Sequence, residues 1–122
     1  DALDGATSAS NNVAVGYGSM ADNTTGSNNV ALGYNALLLN IAASANTAVG
    51  HQSLASNQSG SESTAVGYRS LYYSTGNQNT AFGSDAGRLI TSGVYNVAIG
   101  PLVMDNSAGV TGSQNVAIGR RG

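Results

Sequence analysis

One five-residue phrase recurs seven times along the chain: Asn12-Val-Ala-Val-Gly16, Asn29-Val-Ala-Leu-Gly33, Asn46-Thr-Ala-Val-Gly50, Ser63-Thr-Ala-Val-Gly67, Asn79-Thr-Ala-Phe-Gly83, Asn96-Val-Ala-Ile-Gly100 and Asn115-Val-Ala-Ile-Gly119. The closing glycines are separated by 17, 17, 17, 16, 17 and 19 residues. A period this short cannot hold a helix, a strand and their connections. It suffices for one narrow turn of a β-solenoid with two short strands, in which each repeat buries its inner face only by stacking on the next. The 122 residues are therefore read as a single domain, 1–122: an all-β, parallel β-solenoid of about seven 17-residue coils that associates with other chains.

The rest of each unit aligns as well. Four residues after the glycine stands a large apolar residue in most copies: Met20, Leu37, Leu54, Leu71 and Met104. Directly after the closing glycine come Tyr17, Tyr34, His51 and Tyr68, then Ser84, Pro101 and Arg120. A second glycine follows at Gly26, Gly60, Gly76, Gly93 and Gly112, so each unit reads as strand, bend, short strand, turn. Side chains alternate along a strand, so the two valines of Val13-Ala-Val15 share one side and Ala14 takes the other. The valine side is expected inside the coil, and the alanine and glycine side outside, flat enough for another chain to approach. The file Asn12, Asn29, Asn46, Ser63, Asn79, Asn96, Asn115 is expected to stack as a polar ladder, each amide bonding its copies above and below.

Composition narrows the function classes. The apolar 41% is mostly alanine and valine, with 6% aromatic residues, which suits a thin repeated core. Six acids face four arginines without a lysine, so there is no basic stripe to neutralise nucleic-acid phosphates or anionic lipid. Neither nucleic acid nor membrane is expected as a partner, and no apolar run is long enough to span a bilayer. Cysteine is absent, which removes disulfides, thiolate metal sites and cysteine catalysis.

Individual residues do not assemble into a reactive site. His51 is the only histidine, on the file otherwise held by tyrosines, and is expected to face solvent or pack. No second histidine or paired carboxylates join it, so neither a metal nor a cofactor is expected. A serine or threonine nucleophile needs a base and an orienting acid, and Asp22, Glu62, Asp85 and Asp105 are scattered. Thr47, Thr64 and Thr80 raise the thought of an ice-binding array; sharing a file with Val13, Val30, Val97 and Val116, they read instead as interior positions. The sequons Asn23-Thr-Thr25 and Asn57-Gln-Ser59 fall in expected turns, where they are open to glycans. Tyr72, Tyr73 and Tyr95 read as surface or inter-chain packing, with carbohydrate stacking as the alternative.

The phrases "NNVAVGY", "NTAVGH", "STAVGY" and "NVAIG" resemble the head repeats of trimeric autotransporter adhesins, and "GSNNVALGYNAL" is similar to repeats of bacteriophage tail fibres. The resemblance spans essentially the whole chain and concerns architecture rather than ligand. It implies a left-handed parallel β-roll, three chains side by side with small-residue faces near the axis, and a role in attachment.

The first residues also keep register, with Leu3 seventeen before Met20 and Asn11 seventeen before Asn28. Asp1 and Asp4 lie at one end of the expected rod and Arg120 and Arg121 at the other, so a head-to-tail contact would bring opposite charges together. A contact of that kind propagates into a filament unless rotation closes it. The expected function is thus a non-enzymatic subunit of an extracellular filament stacking head to tail. The alternative is a trimeric receptor-binding head or shaft segment of a bacterial adhesin or phage tail fibre. Either places the chain outside the cell, at a cell surface or on a virion fibre, as a homo-oligomer, the second with a cell-surface or glycan receptor.

Overall fold

The computed structural model describes residues 1–106 and 108–121. Seven three-residue strands, β1 (Val13–Val15), β2 (Val30–Leu32), β3 (Thr47–Val49), β4 (Thr64–Val66), β5 (Thr80–Phe82), β6 (Val97–Ile99) and β7 (Val116–Ile118), form one parallel sheet in sequence order. Neighbours pair copy on copy, Val13 with Val30, Thr47 with Thr64 and Val97 with Val116. The chain is a β-solenoid of about six turns.

Each coil carries one strand, not the expected two. The opposite leg is still bonded coil to coil, Met20 N–H to the Ala36 carbonyl, Leu37 N–H to Ser53 and Leu54 N–H to Ser70, each at 3.0 Å. It is not a strand because Met20, Leu37, Leu54 and Leu71 turn through the left-handed region, with φ of 50–51°. That conformation costs a non-glycine residue about 1–2 kcal/mol. Here it swings the large side chain into the coil, where all four are buried.

The facing of the strands is the reverse of the expectation. Ala31, Ala48, Ala65, Ala81 and Ala98 are fully buried, whereas Val13, Val15, Leu32, Phe82, Ile99, Val116 and Ile118 are exposed. The reason is the width of the coil. Methionine and leucine from the opposite leg already fill its interior, leaving room for only a methyl group on the sheet side, so the core is alanine against Met20, Leu37, Leu54, Leu71, Ile90 and Met104. Thr47, Thr64 and Thr80 accordingly lie on the outer side, half-buried, and not inside.

Departures from the 17-residue period are absorbed at one corner. Gly60 to Gly76 is one residue short of the period and Gly93 to Gly112 two residues over it, yet Thr64 still meets Thr80 and Val97 still meets Val116. At Gly87 the file of large apolar residues is interrupted: a Cβ there would lie 2.9 Å from Leu71 Cδ2 and 3.0 Å from Ile90 Cδ1. Ile90, fully buried three residues on, supplies the missing volume.

The file Asn11, Asn28, Ala45, Glu62 takes the corner before each strand with φ of 56–60°. Asparagine tolerates this region better than alanine does. Replacing exposed Ala45 with asparagine is expected to raise stability by about 1 kcal/mol, read as a higher midpoint in thermal melts. It would also extend the side-chain contact from Asn11 Nδ2 to Asn28 Oδ1, 3.3 Å. An unchanged or lower midpoint would refute the strain argument.

Candidate functional site: an outward apolar face and an aromatic file

Alternation places two files of side chains on the outer face of the sheet. One is Val13, Val30, Thr47, Thr64, Thr80, Val97 and Val116; the other is Val15, Leu32, Val49, Val66, Phe82, Ile99 and Ile118. Three threonine hydroxyls are the only side-chain polar groups among these fourteen residues. The threonines stand in single file beside Val49, Val66 and Phe82, side chains of unequal size rather than a second matching row.

Beside this face runs an aromatic file. Tyr17 stacks on Tyr34 with centroids 5.7 Å apart, Tyr34 on His51 at 5.1 Å and His51 on Tyr68 at 5.3 Å, with interplanar angles of 15°, 15° and 24°. The parallel register produces this spacing, because residues of one file repeat at one coil's rise. His51 is exposed and held between two tyrosine rings, as expected of a solvent-facing packing residue. Arg69 lies over the Tyr68 ring, 4.7 Å from its centroid. The ring faces inside the stack are therefore occupied, and what it presents laterally is mainly ring edges.

Four charged side chains, Arg69, Asp85, Arg88 and Asp105, gather on the coils with irregular spacing. Arg69 meets Asp85 at 2.9 Å, Arg88 meets Asp85 at 3.6 Å, and Arg88 meets Asp105 at 3.0 Å. The hydrogen bond to Asp105 holds the Arg88 guanidinium above its ordinary value, opposed by some burial. Arg69–Asp85 and Arg88–Asp105 bridge successive coils, and Arg88–Asp85 links them within one coil, so together they fasten the solenoid where the period breaks. Among the described residues there is no group of three or more histidines, cysteines or acids placed to hold a metal ion. No helix among them is long and apolar enough to cross a membrane.

The asparagine file forms a ladder, but by different bonds from those expected. Each side-chain oxygen accepts the backbone N–H of the next member: Asn29 N–H to Asn12 Oδ1, 2.8 Å; Asn46 N–H to Asn29 Oδ1, 2.9 Å; Ser63 N–H to Asn46 Oδ1, 2.9 Å. The amide nitrogens of Asn12, Asn29, Asn46, Asn79 and Asn96 donate to a glycine or alanine carbonyl, as Asn46 Nδ2 does to Gly60 at 2.9 Å. Direct amide-to-amide bonds join only Asn96 to Asn79 and Asn115 to Asn96. A second ladder, Asn23, Asn40 and Asn57, lies fully buried beside the first and donates to the same carbonyls, those of Gly26, Ala43 and Gly60. This removes the two expected glycan positions in the folded chain: Asn23 Nδ2 donates to Gly26 and Asn57 Nδ2 to Gly60, both inside the coil.

Of the expected end-to-end residues, Asp1, Asp4, Arg120 and Arg121 are all exposed, in the first and last coils. Leu3 to Ser8 are bonded in register onto Ser19 to Thr24, and Arg121 N–H reaches the Pro101 carbonyl. Tyr72 and Tyr73 pack edge to face at 4.6 Å, and Tyr73 and Tyr95 are exposed. What the sequence reading missed is the outward apolar face. The signal was present in the seven copies, whose middle residue is always alanine while its neighbours range over valine, threonine, leucine, isoleucine and phenylalanine. A narrow interior tolerates one size; an open surface tolerates many.

Comparison with known proteins adds no relative: no family model, curated protein or solved structure matches the chain.

Proposed function

We propose that the chain is a non-enzymatic structural unit of an extracellular filament whose copies stack head to tail. The observation that carries this reading is the complementarity of the edges of β1 and β7. Within the sheet, the N–H of Val97 donates to the carbonyl of Asn115, the N–H of Gly119 to Ile99, and the N–H of Asn115 to Asn96 Oδ1. Carried one coil further, the same pattern pairs Val116 N–H with the Asn12 carbonyl of the next copy. It also pairs that copy's Gly16 N–H with Ile118, and its Asn12 N–H with Asn115 Oδ1. A Cβ on Gly16, Gly33, Gly50 or Gly83 would strike the next coil's backbone, but one on Gly119 would meet nothing within 4 Å. Gly119 thus has the backbone of a stacked glycine, φ +139°. Asp1 and Asp4 on one face of that junction, Arg120 and Arg121 on the other, complete it with opposite charges.

Electron microscopy at rising concentration tests this, with fibres expected to show an axial repeat of roughly 34 Å from seven coils at about 4.8 Å. Val116→Pro removes the N–H that must donate to the next copy and is tolerated at a sheet edge. It is expected to abolish fibres while leaving circular dichroism unchanged. A wild-type chain that stays a discrete short particle at high concentration overturns the reading.

The second reading, a trimeric receptor-binding segment of an adhesin or tail fibre built as a left-handed β-roll, draws support from the exposed aromatic residues Tyr17, Tyr34, Tyr68, Tyr73 and Tyr95. It requires closed trimers that bind cells or glycans.

A further inference from the structure

We infer that the outer face of the sheet is a lateral docking surface for a second copy of this chain, sheet against sheet and axes parallel. The proposal deepens the filament reading and rests on it for the long axis of the assembly.

Three observations select the occupant. The first is chemistry: Val15 is 60% exposed and Ile118 73%, with Leu32, Phe82 and Ile99 between them on one continuous file, and no charged side chain stands on the face. A polyanion or charged polysaccharide would find nothing there to pair with, whereas an uncharged apolar surface would gain by covering it. The second is spacing. The side chains recur once per coil in an unbroken register through all seven strands, at about 4.8 Å. Only a partner with the same repeat can interdigitate over the full length without falling out of step, and a second copy has that repeat by construction.

The third is area. Seven strands at about 4.8 Å and three residues at about 3.3 Å give a strip of roughly 340 Å², well below the roughly 800 Å² per partner of a stable complex. One chain laid on one chain is therefore weak. Three copies stacked end to end offer roughly 1,000 Å² on a single face, so lateral pairing takes hold once axial stacking has begun, and the assembly thickens as it lengthens. The fully buried alanines place no constraint on this contact, because they lie on the other side of the sheet.

The experiment compares fibre width and length by electron microscopy for the wild type, for Leu32→Glu combined with Phe82→Glu, for the milder Val15→Glu, and for Val116→Pro. All three glutamate positions are exposed, so unchanged circular dichroism and melting identify variants that keep the coil. The wild type is expected to give fibres at least two solenoids wide. The double glutamate variant is expected to give fibres one solenoid wide, with the wide class reduced at least ten-fold, and Val15→Glu a partial shift in the same direction. Wild-type fibres only one solenoid wide, or wide fibres that persist in both glutamate variants, overturn the lateral contact and leave the head-to-tail reading standing. Compact oligomers without fibres, dispersed by the glutamates, overturn the head-to-tail reading and support the face; monomers at every concentration overturn both.

Discussion

Gly50→Ala is expected to lower stability by at least about 4 kcal/mol and, in a chain with the modest stability of a small domain, to prevent folding. Two costs add. At φ +127° the backbone is outside the region an alanine occupies, a strain of about 1–3 kcal/mol. The new Cβ would also lie 2.6 Å from the Gly67 carbonyl oxygen and 2.8 Å from its carbon. Backbone of the next coil cannot retreat without breaking the strand pairing of β3 with β4. Gly119→Ala separates the two costs, since the same backbone conformation there meets no neighbour, and it should cost only the strain of about 1–3 kcal/mol. Urea or thermal melts at one fixed protein concentration provide the check, because association would shift both midpoints. A Gly50→Ala chain that melts like Gly119→Ala would show that coils are not in backbone contact at this corner.

The contrast between these two glycines also shows what was legible in the sequence. The period, the parallel order and the files of large apolar residues and of asparagines all follow from the spacing of the phrases, because a repeat that stacks on itself has little freedom; that Met20, Leu37, Leu54 and Leu71 fill the interior did not. The facing of Val13-Ala-Val15 did not follow. Alternation says which residues share a side, not which side is inside, and the usual preference for burying valine over alanine points the wrong way here. The decision lies with the opposite leg, where leucines in a left-handed backbone conformation fill the coil. That conformation is disfavoured for leucine and has no local signature, so a second strand was the natural expectation. Gly87 illustrates the same dependence: the missing large residue was visible, but its replacement by Ile90 is a fact of packing.

The outward apolar face follows from that correction, and with it the surface available for association. Had the valines been inside, the exterior of the sheet would have been alanine and glycine, suited to close backbone approach but offering little area to bury. With Leu32, Phe82 and Ile99 outside, the protein carries a hydrophobic strip that its own fold does not use. Because both the strip and the edges of the sheet repeat with the coil, the proposed axial and lateral contacts would reinforce one another without any new feature in the sequence.

Asn46→Leu is the second substitution expected to destabilise, for a reason that separates the ladder from ordinary core packing. Asn46 is fully buried and makes three bonds: its N–H to Asn29 Oδ1, its Oδ1 to the N–H of Ser63, and its Nδ2 to the Gly60 carbonyl. Leucine keeps the volume but leaves the Ser63 N–H inside the coil without its acceptor, while the Gly60 carbonyl keeps the Asn57 Nδ2 donor at 2.7 Å. One buried donor left unsatisfied puts the loss at about 1–3 kcal/mol. Asn46→Ser should be milder, because Ser63 holds the same file with its hydroxyl, accepting the N–H of Asn79 at 3.1 Å. Only the donation to Gly60 is then lost, and because Asn57 Nδ2 still bonds that carbonyl the cost is about 0.5–1.5 kcal/mol. Hydrogen exchange gives a residue-level readout: the Ser63 amide should lose protection in Asn46→Leu and retain most of it in Asn46→Ser. If the two variants were equally stable, the coil would be held by its apolar interior alone and the ladder would be a passenger. If leucine is worse, the polar corner sets the register on which any stacking of copies depends.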